Sequence, residues 1–133
     1  MKYLLDTNTC IRYLNGRSEK IKQNMAAVSQ QDIALCSVVK AELFYGAMKS
    51  LHPENNLARQ RKFTDSFVSI TFDDNAAEVY GQIRAQLEKA GTPIGPNDLL
   101  IAAIALANNL TLVTHKTREF SRIAILPCED WES

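Results

Sequence analysis

The sequence predicts an α/β fold, a three-layer sandwich in which a mostly parallel central sheet is flanked by helices. Three observations carry that prediction. Short apolar runs at Tyr3 to Leu5, Ile33 to Cys36 and Thr111 to Thr114 have the length and composition of buried strands, and the segments between them carry apolar residues at helical spacing. The stretch Leu99 to Ala107 contains no charge, so a helix formed by it is buried on most sides. With 133 residues, 46% of them hydrophobic, residues 1–133 suit a single domain with a real core.

In chain order, Tyr3 to Leu5 stop at Asp6, so the first strand delivers an acid at its carboxyl end, where open parallel sheets bind ligands. A short helix follows, capped by Asn8 or Thr9 and stopped by Gly16, and Ser18 caps a second with Ile21, Met25 and Val28 on one face. Ile33 to Cys36 form the next strand, and Ser37 hands it over to a helix through an N-cap. On that helix Glu42 shares a side with Val38, Val39, Leu43 and Gly46, so it either finds a partner or edges the stripe and reaches water.

Pro53 to Phe67 read as a helix with Leu57, Phe63 and Phe67 inward and Arg59, Arg61 and Lys62 solvated. Val68 to Phe72 alternate as a strand, and Asp73 or Asp74 caps a long helix carrying Ala76, Val79, Tyr80, Ile83 and Leu87 and ending at Gly91. The apolar helix then starts at Gly95-Pro96-Asn97-Asp98, with Pro96 suited to its first position and Gly95 or Asn97 to its cap. Thr111 to Thr114 form a buried strand, His115 to Phe120 a polar loop, and Ile123 to Leu126 a last edge strand.

Fifteen basic residues balance fifteen acidic ones, so no overall positive field marks the chain for nucleic acid, and a nucleic-acid site must be local. Cys10, Cys36 and Cys128 are odd in number and lie in or beside apolar runs rather than in metal-like pairs, which predicts a reducing, cytoplasmic setting. The N-terminal apolar run is too short for a signal peptide, and no stretch approaches the roughly 18 apolar residues of a membrane span. A soluble protein is expected.

Asp6, Glu42 and Asp98 occupy equivalent places, beside strand ends or in the first turns of helices, and Glu119 lies in the loop after the Thr111 to Thr114 run. An Asp in a first helical turn complements the helix dipole, so Asp98 alone indicates no chemistry. Gathered carboxylates repel unless a cation shares their charge, and an all-oxygen set without Cys or His suits Mg²⁺ or Mn²⁺ rather than Zn²⁺. His115 reads as a surface residue. Lys116, Arg118 and Arg122 form a local positive rim beside the acids, of the kind a phosphate backbone requires and also of the kind any solvated loop carries.

The segments Leu4-Leu5-Asp6-Thr7-Asn8, Ser37 to Gly46, Pro96 to Ala103, Thr114 to Phe120 and the closing Glu129-Asp130-Trp131 together resemble the PIN-domain family, and within it the VapC-type toxin ribonucleases. The resemblance spans nearly the whole chain in the family's order, and only the combination is specific. It implies the toxin of a type II toxin–antitoxin system: an endoribonuclease dependent on Mg²⁺ or Mn²⁺ that cleaves structured RNA, transfer RNA foremost. It also implies control by a VapB-type antitoxin and a homodimer. Carried over residue by residue, it makes Asp6, Glu42, Asp98 and Glu119 catalytic, with Asp6, Asp98 and Glu42 holding the metal and Asn8 and Thr114 as supporting polar groups. Where relatives often carry Asn or Asp after Thr114, this chain has Lys116, which cannot ligate a metal and is left to contact RNA phosphate or to neutralise the acids.

A haloacid-dehalogenase-like phosphotransferase needs a second Asp two positions after the first, where this chain has Asn8; a receiver domain leaves Glu42 unexplained. The surviving alternative is a non-catalytic PIN-like module that only binds a partner. Cleavage of structured RNA with and without Mg²⁺ or Mn²⁺ separates the two.

Overall fold

Strand β1 (Tyr3–Leu5) is the middle strand of a five-stranded sheet in the computed structural model, which describes residues 1–133. Its partners are β2 (Ile33–Cys36) on one side and β4 (Thr111–Val113) on the other; β3 (Val68–Ile70) and β5 (Cys128–Glu129) form the edges, giving the order β3-β2-β1-β4-β5. Every pairing is parallel, with Leu4 beside both Ala34 and Leu112. The sheet is therefore wholly rather than mostly parallel. Such a sheet needs cover on both faces, and the complete burial of all four β2 residues reflects it.

The helices are α1 (Thr7–Leu14), α2 (Glu19–Ala27), α3 (Ser37–Met48), α4 (Pro53–Thr64), α5 (Asp74–Lys89), α6 (Pro96–Ala107) and the single turn α7 (Thr117–Phe120). Helix α6 buries Leu99 and every residue from Ile101 to Ala105, as its lack of charge demands, and packs along α5; α3 packs on α4. Gly16 (φ +64°), Gly91 (φ +71°) and Asn109 (φ 55°) turn the chain out of α1, α5 and α6 through left-handed backbone, which leaves carbonyls of the last turn paired. The core comprises 26 buried residues, with Leu4, Leu5, Leu35, Ile104, Leu112 and Phe120 among its largest.

Several local expectations are corrected. The cap of α1 is Asp6 itself, whose Oδ1 accepts from Thr9 N–H at 2.9 Å, because the strand ends one residue before the helix and leaves no room for a later cap. Ser37 is the first residue of α3 rather than its cap; the flanking residue is Cys36, and the Ser37 hydroxyl donates instead to the Ile70 carbonyl at 3.5 Å. The α4 helix stops at Thr64, and β3 runs only to Ile70, with Val68 and Ser69 exposed on a sheet edge. Ile123 to Leu126 form turns, not a strand: burying Ile123 and Leu126, three apart, requires a turn, and edge pairing passes to Cys128–Glu129. The polar loop after Thr114 holds α7.

Ser18 caps α2 through Ile21 N–H, Asp73 caps α5 through Ala76 N–H, and Gly95 flanks α6 with Pro96 in its first turn, as the sequence indicates. All three cysteines are free thiols. No helix is long and apolar enough to cross a membrane.

Candidate active site

The connection from β1 leads to β2 on one side, while β4 joins β1 on the other, so the strand order reverses direction between β1 and β4. Parallel sheets open a crevice at such a point, beyond the carboxyl ends of the strands. Asp6 follows β1 and Thr114 follows β4, and both lie at that end of the sheet. Asp6 is 2% exposed and tied to β4 by its backbone N–H, which donates to the Val113 carbonyl at 3.1 Å. A carboxylate so deep requires partners, and the cap bond from Thr9 provides one.

Asp98 enters from the first turn of α6, its side chain 16% exposed. A side chain built on Gly95 would lie 3.9 Å from Asp98 Oδ2 and 4.0 Å from Glu119 Oε1, so the two acids flank the same glycine. The Gly95 N–H donates to Glu119 Oε1 at 3.2 Å and anchors that acid beside the start of α6. Glu42 is half-buried on α3, and its Oε1 accepts from the Thr7 hydroxyl at 2.5 Å. It faces a groove of about 780 Å³ that Asn8, Asn97 and Leu100 also line. Thr114 is fully buried, and its hydroxyl accepts from the Lys116 N–H at 3.0 Å.

Lys116 reaches back into this set, its Nζ 3.0 Å from Asp98 Oδ2. Burial pushes the Asp98 carboxyl up; Lys116 opposes this, Glu119 and Asp6 add to it, and the result lies above the usual carboxylate range. Burial pulls the Lys116 ammonium down, but the hydrogen bond and charge of Asp98, with the charges of Glu119 and Asp6, outweigh it and hold the amine above its ordinary value. The three acids thus act on one field, which favours a cation. No three of them surround a single point closely enough to form a preassembled metal cage.

Of the remaining residues singled out in the sequence, Arg118 is exposed on α7, and Arg122 donates to the Pro93 carbonyl at 2.8 Å, fastening the loop after α5. His115 is on the surface and pairs through Nδ1 with Asp130 Oδ2 at 2.9 Å. The largest cavity, about 900 Å³, lies elsewhere, between α1, α2 and α4, and none of the acids lines it.

A family model for the PIN domain matches residues 3–126. The tRNA(fMet)-specific endonuclease VapC of Salmonella typhimurium is 41% identical over 131 residues, covering 98% of each chain, and ribonuclease VapC2 of Rickettsia felis is 40% identical over 133 residues, covering 99% of each. The chain belongs to the PIN-domain family, with the VapC-type ribonucleases. A solved structure of DNA-bound VapBC from Salmonella typhimurium superposes with a TM-score of 0.93 at 41% identity, over 98% of both chains.

Within this PIN domain, sequence reasoning missed Thr7 and the Gly95 N–H. Thr7 contacts an acid 35 residues away, a relation that no local spacing encodes. The Gly95 contact had a signal, since a helix start leaves N–H groups without partners and an acid in a nearby loop can accept from them.

Proposed function

We propose that this PIN domain is the toxin of a VapBC-type pair, a Mg²⁺- or Mn²⁺-dependent endoribonuclease that hydrolyses a phosphodiester in structured RNA, transfer RNA foremost. The single observation that carries the reading is Asp98 at the sheet's switch point, flanking Gly95 together with Glu119 and lying in the field of Asp6, with the Lys116 ammonium already drawn to it. The donor set fits a hard divalent ion: carboxylate oxygens from separate elements, no thiolate or imidazole among them, and an electrostatic demand that a single ammonium meets only in part.

Asp6 and Asp98 would hold the ion, and Glu42 would reach it directly or through water. When bound, such an ion orients a water, favours hydroxide and offsets charge on the transition state of in-line attack at phosphorus. Glu119, fixed by Gly95 through Oε1, orients the attacking water with its other oxygen. Asn8 and Thr114 keep polar groups at the edge of the set. Arg118 and Arg122, with Lys116, offer positive charge to flanking RNA phosphates.

Control by a VapB-type antitoxin belongs to the same reading, supported by the likeness to solved VapBC complexes. So does a homodimer: Tyr45, Met48 and Leu51, exposed by 66%, 59% and 94%, leave apolar surface at the end of α3. A cytoplasmic setting agrees with the three free thiols.

The test is incubation of the purified chain with folded transfer RNA after exhaustive chelation, then with Mg²⁺ or Mn²⁺ restored. Cleavage that stops on chelation and returns with the ion is expected. Full cleavage in EDTA overturns the metal mechanism, and RNA left intact under every condition favours the partner-binding module.

A further inference from the structure

Lys116 flanks the start of α7 yet forms no side-chain cap there; its backbone N–H is held by the Thr114 hydroxyl and its side chain crosses to Asp98. The ammonium hydrogen-bonds Oδ2 of the acid assigned to hold the metal. A divalent ion on that carboxylate would lie about 2.1 Å from its oxygen. Two cations on one carboxylate, a few Å apart and part-buried, repel strongly.

We propose that Lys116 is a tethered counter-ion that competes with the divalent metal for Asp98, so that it stabilises the metal-free protein and raises the metal concentration needed to load the site. The proposal rests on the metal-dependent reading above. Loading displaces the ammonium, and the side chain, 40% exposed, then has solvent to move into and the rim of the site to serve. The lysine thereby neutralises the acids in the metal-free state and adds positive charge beside them in the loaded one.

The experiment titrates Mn²⁺ into the full chain without RNA, following free Mn²⁺ by electron paramagnetic resonance, for the parent, Lys116→Gln, Lys116→Arg and Asp98→Asn. Lys116→Gln should bind Mn²⁺ about tenfold tighter than the parent, the change that follows from losing one charge-assisted hydrogen bond at the lower end of its range. Lys116→Arg should stay near the parent. Equal or weaker binding by Lys116→Gln, with normal binding by the parent, overturns the competition alone. Binding by Asp98→Asn at parent strength, or by no variant at all, overturns the metal reading and the competition with it. Thermal unfolding adds a readout that a merely structural lysine would not move: Lys116→Gln should melt below the parent in EDTA and at or above it in saturating Mn²⁺. An identical gap in both conditions refutes the proposal. Lys116→Met, which keeps the unbranched stem and removes the charge, repeats both measurements should the Gln variant fail to fold.

Discussion

The hydroxyl of Thr7, the first residue of α1, donates to Glu42 Oε1 on α3 at 2.5 Å and ties the element after β1 to the element after β2. It also restricts the carboxylate to one orientation beside the groove lined by Asn8 and Asn97. Thr7→Val keeps the shape and removes the donor. The variant should lose about 1.5 kcal/mol of stability, in the range for hydrogen bonds to charged groups, and RNA cleavage should fall about tenfold. Thr7→Ser should restore both. Denaturant unfolding and single-turnover cleavage of the three proteins check this, and unchanged cleavage by Thr7→Val would remove Thr7 from any role in placing Glu42.

Asp98→Asn separates fold from chemistry. The change removes the helix-dipole contribution and the Lys116 pair, together about 1 kcal/mol, but also relieves a carboxylate that burial and two neighbouring acids hold above its usual pKa. A raised folded pKa means that ionisation at neutral pH opposes folding, so the two effects offset each other. In EDTA the variant should melt near the parent, while cleavage in saturating Mn²⁺ should drop by about a hundredfold or more. Near-parent cleavage would refute the role given to Asp98.

The pair His115 and Asp130 gives stability a pH dependence. The hydrogen bond and charge of Asp130, with Glu132 behind, hold the imidazole above its ordinary pKa; Arg12 opposes them weakly. Burial pushes the Asp130 carboxyl up, but donation from Ser133, the Glu132 N–H and His115 holds it below the usual range. A histidine whose folded pKa is raised stabilises fully below its unfolded value and loses that contribution as pH rises through the folded one. The lowered Asp130 contributes above its unfolded value and loses it as pH falls. Parent and His115→Gln should therefore differ in melting temperature near about pH 5.5 and converge by about pH 8.5. A gap that persists at the higher pH would show that the imidazole charge is not its source.

Expression of the chain without an antitoxin should arrest growth, and Asp98→Asn should not. Plating after induction, with the soluble protein measured in parallel, checks this. Normal growth with soluble, intact parent protein would remove the toxin reading.

Alternating apolar runs and capping residues made most of the architecture legible. Leu4 and Leu5, Ile33 to Cys36 and Leu112 and Val113 are apolar because parallel strands are covered on both faces, and the uncharged α6 could only be a buried helix. The capping roles of Ser18 and Asp73 and the stops at Gly16 and Gly91 depend on neighbours a few residues away, so they too could be read directly. Of the two edge strands, β3 lies within the run Val68 to Phe72 that alternates as a strand, whereas β5 was not legible. Its pairing is decided by what the sheet leaves open: Cys128–Glu129 take the place beside β4 once Ile123 and Leu126 turn inward to the core.

The acids themselves stood out from their positions at strand and helix ends, whereas their relationships did not. That Thr7 holds Glu42, that Glu119 and Asp98 flank Gly95 and that Lys116 turns to Asp98 rather than to solvent all depend on distances between elements remote in sequence. Periodicity and capping are local and survive in a string of letters. The direction of a long side chain is set by the sum of charges and burial around it, and that sum exists only once the parallel sheet has brought the ends of β1 and β4 together.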